Sequence, residues 1–163
     1  MPTSEHPLSQ ALLDVSAECF TAMAGILTVL GDDLANRRPD LPGANSCYAI
    51  VNHCIGVVDY WAGSFIAGQR IPRDRDSEFT ASGRVDELLE RLTALQQRFP
   101  DWIEVAVTEG IRDRAVADGV GGGTTRAAVL ATAIRMVASH ITSEHRDAAR
   151  AALKRGVDEA EVA

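Results

Sequence analysis

The chain has 163 residues, 46% of them hydrophobic and 24% charged, and a net charge of -7 at pH 7. That is enough apolar material for one domain with a real core. The acidic balance argues against nucleic acid and against an anionic membrane surface, both of which select basic stripes. No apolar run reads as a bilayer span, and the start MPTSEHPLSQ has neither the basic nor the apolar region of a signal peptide.

The three cysteines, Cys19, Cys47 and Cys54, are odd in number and form no CxxC pair. All fall in helical runs, where free thiols behave as small hydrophobes, so a reduced, cytoplasmic setting is expected. Cys54 adjoins His53, but neighbouring helix residues project about 100° apart and need not interact.

The first helical run covers 8–36, with Leu12, Val15, Cys19, Met23, Ile26, Val29 and Leu34 marking one face. Gly25 and Gly31 each weaken it by about 1 kcal/mol relative to alanine, and glycine there invites close approach of another helix. Arg37-Arg38-Pro39 ends it, because a residue before proline disfavours the α region. Ser46 or Asn45 caps the second run, 46–69, whose stripe is Ile50, His53/Cys54, Val57, Trp61 and Phe65. His53 lies within or beside that stripe, and a buried histidine must find a partner. Gly68 and Pro72 terminate the run.

Residues 69–83, QRIPRDRDSEFTASG, alternate Arg and Asp and read as a solvated, self-paired surface loop. The functional alternative has Arg70, Arg73 or Arg75 guiding an anionic ligand to a nearby cleft. Acidic Asp86 and Glu87 open the third run, with Val85, Leu88/Leu89, Leu92, Leu95 and Phe99 on its buried face. Pro100 is expected to break or kink it before a further segment, 101–109, that carries Trp102, Val105 and Ala106.

Residues 110–123 end in Gly121-Gly122-Gly123, which lacks the lysine and spacing of a phosphate loop and reads as a connector. Thr124 or Thr125 caps the fourth run, which continues to about residue 155 before Gly156. Its stripe is Leu130, Ile134, Val137, Ile141, His145 (or Glu144), Ala148 and Ala152. Four helical runs without an alternating strand pattern predict a single all-α domain over 1–163, an antiparallel four-helix bundle.

Sites in such bundles are built from facing helices, where His53 and the 140–145 segment are expected to meet. Imidazoles are ligands for zinc, nickel and iron, and a catalytic site holds three protein ligands and an open position. His140 and His145, however, are five apart, so their side chains project about 140° apart. Three arrangements follow. His53 and His145 bind a metal with a third ligand such as Glu18 or Asp14; or His53, His140 and Glu144 form a two-His, one-carboxylate set; or no metal binds and the histidines are hydrogen-bonded core residues.

The segment SHITSEHRDAARAALKRG resembles the last-helix signature of DinB-like proteins, His-x-x-x-His-Arg. The stretches NHCIGVVDYW and PRDRDSEFTASG resemble the related mycothiol-dependent maleylpyruvate isomerase N-terminal domain. This resemblance implies a four-helix bundle holding a divalent metal, often zinc or nickel, between helices, and a homodimer. Some relatives are thiol-dependent transferases or isomerases that use mycothiol, bacillithiol or glutathione.

Carried over, His53 matches the second-helix ligand and His145, followed by Arg146, the final one. The middle position is Ile141, with His140 out of phase by one. The expectation is a metal-binding, thiol-dependent S-transferase or isomerase acting on a small molecule. In it His53, His140 and His145 are the metal set, Glu144 a third ligand or general base, and Arg146 a holder of an acidic group. The alternative is a metal-free bundle that binds a small apolar ligand or acts by dimerisation.

Overall fold

The structure, a computed structural model, describes residues 7–109. Their regular structure is helical, with no strand among the described residues. The order is α1 (Pro7–Asn36), α2 (Cys47–Val58), a π-helical segment (Asp59–Ile66) that continues α2, a one-turn α3 (Arg75–Glu78) and α4 (Val85–Thr108). The expected connector at 110–123 and fourth helix at 124–155 lie outside the described residues.

α2 is the centre of the core. Ten of its twelve residues are buried, as expected for a helix covered by neighbours on nearly every side. Ser46 caps it as expected, its hydroxyl accepting from the Ala49 amide at 3.1 Å. The π-helical segment then buries Ala62, Gly63, Phe65 and Ile66. Gly63 is needed there because a Cβ would lie 2.9 Å from the Trp102 ring and 2.6 Å from Ile71.

α1 departs from its expected stripe. Cys19, Phe20, Met23, Ile26, Leu27 and Leu30 are buried, while Val15 and Val29 are 49% and 67% exposed. The buried face centres on the Met23–Leu30 line, and Val29 projects about 100° from Leu30, away from it. Neither Gly25 nor Gly31 receives a close neighbour. Gly31 instead joins two helical stretches at φ 62°, a conformation that favours glycine. Beyond this kink Asp32 accepts from the Val85 amide at 2.7 Å, and Asn36 exchanges two hydrogen bonds with Gly83 at 2.8 and 3.0 Å. The end of α1 thereby caps the start of α4, whose own N-cap, Arg84, supplies no side-chain bond.

By length and composition α1 is apolar enough to cross a membrane, contrary to the sequence expectation; its best window has a mean hydropathy of 1.5. Here one face of that helix packs on α4 and α2 in the shared core.

α4 corrects the expected break, because it runs through Pro100 as one helix. Leu88, Leu92, Leu95, Phe99, Trp102, Ile103 and Ala106 keep one continuous buried face across the proline. Pro100 itself is exposed, so its ring and missing N–H fall on the solvent side. Burial worth about 2 kcal/mol per large side chain outweighs the local cost.

Candidate functional site

His53 is 3% exposed on α2. Its Nδ1 lies 2.7 Å from Glu78 Oε2, and its ring stacks on Phe79 with centroids 4.4 Å apart. Glu78 is itself only 6% exposed. Its second oxygen accepts from Arg73 Nε at 2.7 Å, and Arg73 Nη2 reaches Oε2 at 3.0 Å, a two-point clamp. The carboxylate is thus held between a guanidinium and an imidazole.

The backbone is shaped for this insertion. Asp74 caps the single turn of α3 by accepting from the Ser77 amide at 3.3 Å, which turns Glu78 inward. On the receiving wall stands Gly56, where a Cβ would overlap the Glu78 carboxylate. Asn52 binds both sides of the entry: its amide nitrogen approaches the Glu78 carbonyl at 3.4 Å, and its oxygen accepts from Arg91 of α4 at 2.7 Å.

Electrostatics favour the ionised carboxylate. Burial pushes the Glu78 carboxyl upward, but the hydrogen bonds and charges of Arg73 and His53 outweigh it and hold it below its ordinary range. Asp59 moves the other way: burial raises it, against the lowering influence of Arg98, 3.3 Å away, and of Arg91. Burial likewise pushes the Cys54 thiol up to about 12, with Cys19 and Glu78 adding to the rise. Such a thiol is a core group rather than a nucleophile at neutral pH, as its position led us to expect. Cys19 and Cys47 are buried as well.

With Glu78 ionised, Nδ1 of His53 carries the hydrogen, because a carboxylate only accepts. Ligating histidines commonly donate one ring nitrogen to a carboxylate in this way. His53 therefore fits the role of one metal ligand. A cleft of about 200 Å3 opens on the other side of Glu78, lined among others by Asn52, Asp59, Tyr60, Arg73 and Arg91.

The 69–83 loop is self-paired as expected, through Arg73 and Glu78, but this pair is not a solvated surface one, since it enters the helical wall with Glu78 buried and Arg73 half-buried. Of the three arginines offered as ligand guides, Arg73 lines the cleft but is engaged by Glu78 and lies over the Tyr60 ring. Arg75 covers Phe79, and Arg70 is exposed. Asp14 and Glu18 are exposed on α1, and Asp14 accepts from Gln10 at 2.7 Å. Among the described residues no three His, Cys, Asp or Glu gather as a metal site, so neither of these acids completes a set with His53. His140, Glu144, His145 and Arg146 lie outside the described residues.

Glu78 was missed in the sequence. Its signals were faint: a capping Asp74 four residues earlier and a lone aromatic, Phe79, inside a charged stretch.

Residues 17–146 match the family model of the DinB superfamily. No curated protein and no solved structure matches the chain. The chain belongs to the DinB superfamily, whose fold is a helical bundle, in keeping with the all-α architecture.

Proposed function

We propose that this chain binds a divalent metal, zinc or nickel or else iron, and serves as a thiol-dependent S-transferase or isomerase. The observation that carries this reading is buried His53, whose Nδ1 is turned to an ionised carboxylate, the pairing that ligating histidines make. Membership of the DinB superfamily supports it. His145 would complete the set with His140 or Glu144. When bound, such an ion polarises substrate oxygen or holds a thiol as thiolate.

The chain's own residues have simpler tasks. His53 binds, and Glu78 holds the proton on Nδ1. Glu144, when it is not a ligand, acts as general base, and Arg146 steadies an acidic group of the substrate. The partners in this reading are a small-molecule substrate, a low-molecular-weight thiol such as mycothiol, and a second copy of the chain, in the cytoplasm.

Elemental analysis of untagged protein, with reconstitution by zinc, nickel and iron(II), tests the reading. We expect about one ion per chain, lost in His53→Ala and His145→Ala. Protein that takes up none of the three metals would falsify it.

A metal-free bundle is the second reading, favoured by one observation. Glu78 alone already satisfies the Nδ1 of a buried His53, which is how a structural histidine is kept. On this reading His53→Ala loses stability, and metals do not raise the wild-type melting temperature.

A further inference from the structure

We infer that Glu78 is a positioning residue for His53, and that the segment carrying it sets the affinity of the site without touching the ligand. The inference rests on the reading of His53 as a metal ligand. Its geometry is independent of that reading.

Three features converge. Glu78 Oε2 meets His53 Nδ1 at 2.7 Å, so the carboxylate decides which ring nitrogen carries the proton. Arg73 grips the same carboxylate at 2.7 and 3.0 Å, which fixes the direction in which it points. The absence of a side chain at Gly56 leaves room for the carboxylate on the wall of α2, one turn after Asn52. Phe79, next in the chain, stacks on the imidazole and limits its rotation. Two ring freedoms, tautomer and tilt, are therefore controlled by one short segment.

A ligating histidine whose other nitrogen donates to a carboxylate is more basic and better aimed, and loss of such a partner typically weakens metal binding about 10- to 100-fold. Arg73 moderates this. It shares the carboxylate, meeting Oε1 at 2.7 Å and Oε2 at 3.0 Å, so the imidazole is not the sole partner of Glu78.

Glu78→Gln tests the inference, because glutamine keeps the size and an acceptor oxygen but loses the charge. Glu78→Ala removes the contact altogether. Circular dichroism first establishes that each variant folds. Nitrogen-15 NMR of metal-free protein then reads the His53 tautomer at a pH where the ring is neutral. Wild type is expected to show protonated Nδ1, and both variants a mixture or the opposite tautomer, which a merely structural contact would not produce.

Cobalt(II) titration, followed by absorbance, is expected to show affinity about 10-fold weaker in Glu78→Gln and up to about 100-fold weaker in Glu78→Ala. An unchanged tautomer in both folded variants overturns the inference, as does unchanged cobalt affinity. Wild type that binds no cobalt overturns the affinity claim together with the metal reading, and the tautomer measurement alone then judges the role of Glu78. If only one variant folds, it carries both measurements.

Discussion

The α1–α4 wall and the 69–83 segment are built on opposite terms. The wall is apolar, regular and centred on Trp102, Leu27, Leu88 and Leu95, each no more than 1% exposed. The segment is charged and irregular, yet it buries a carboxylate beside an imidazole. A buried apolar face repeats along the chain and declares itself by its period. A buried ion pair between elements 25 residues apart has no period. Its only local traces are a cap and an unexpected aromatic.

Three substitutions and one change of conditions sharpen that contrast, the largest effect first. Trp102→Ala removes the largest fully buried side chain of the wall and is expected to cost about 3–5 kcal/mol in denaturant unfolding. A loss under about 1 kcal/mol would mean that the wall is not the structural centre we describe. Gly56→Ala strikes the segment's seat: the new methyl overlaps Glu78, and expulsion of the carboxylate is expected to cost about 1–3 kcal/mol. Gly25→Ala, on the exposed side of α1 with no atom within 4 Å of the new Cβ, should instead stabilise by about 1 kcal/mol. If the two glycines respond alike to alanine in thermal melts, the distinction between seat and solvent face is lost.

The smallest effect is a pH dependence. Arg73 and His53 hold the folded Glu78 carboxyl below its ordinary 4.5. A depressed carboxyl stabilises the folded state above the unfolded value and loses that contribution as pH falls through the folded value. The stability gap between wild type and Glu78→Gln should therefore be full above about pH 4.5 and close below it. Asp59, raised by burial, contributes with the opposite sign in both proteins and cancels in the difference. A gap that stays constant down to acid unfolding would show that the carboxylate's charge is not what the segment contributes.

Much of the bundle was legible. The caps and stops at Ser46, Pro39 and Gly68 act locally, so reading them needed no tertiary information. The burial of His53 and Cys54 followed from their place in the α2 stripe, and that of Cys19 from its place in the α1 stripe. Val15 and Val29 were misassigned because an alanine-, glycine- and valine-rich helix offers apolar residues on several faces, and only contact with α4 selects one. Pro100 was misread because the rule about proline is local, while the continuous face from Leu88 to Ala106 that carries the helix past it is tertiary. The seat of Glu78 was illegible for a further reason: Gly56 signals it only by lacking a side chain.

The π-helical segment has a consequence for variation in length. Its turns close from residue i to i+5, as in the 3.0 Å bond from the Ala67 amide to the Ala62 carbonyl, so each takes up one residue more than an α-turn. It is a phase slip between α2, which carries His53, and the chain that returns with Glu78. A residue deleted from 59–66 and not absorbed by a switch from π- to α-turns would rotate all that follows by about 100°. Histidine and carboxylate would both survive in the sequence and miss each other in space. Homologous chains that differ by one residue here are therefore expected to change the partner of this histidine while keeping the helix count.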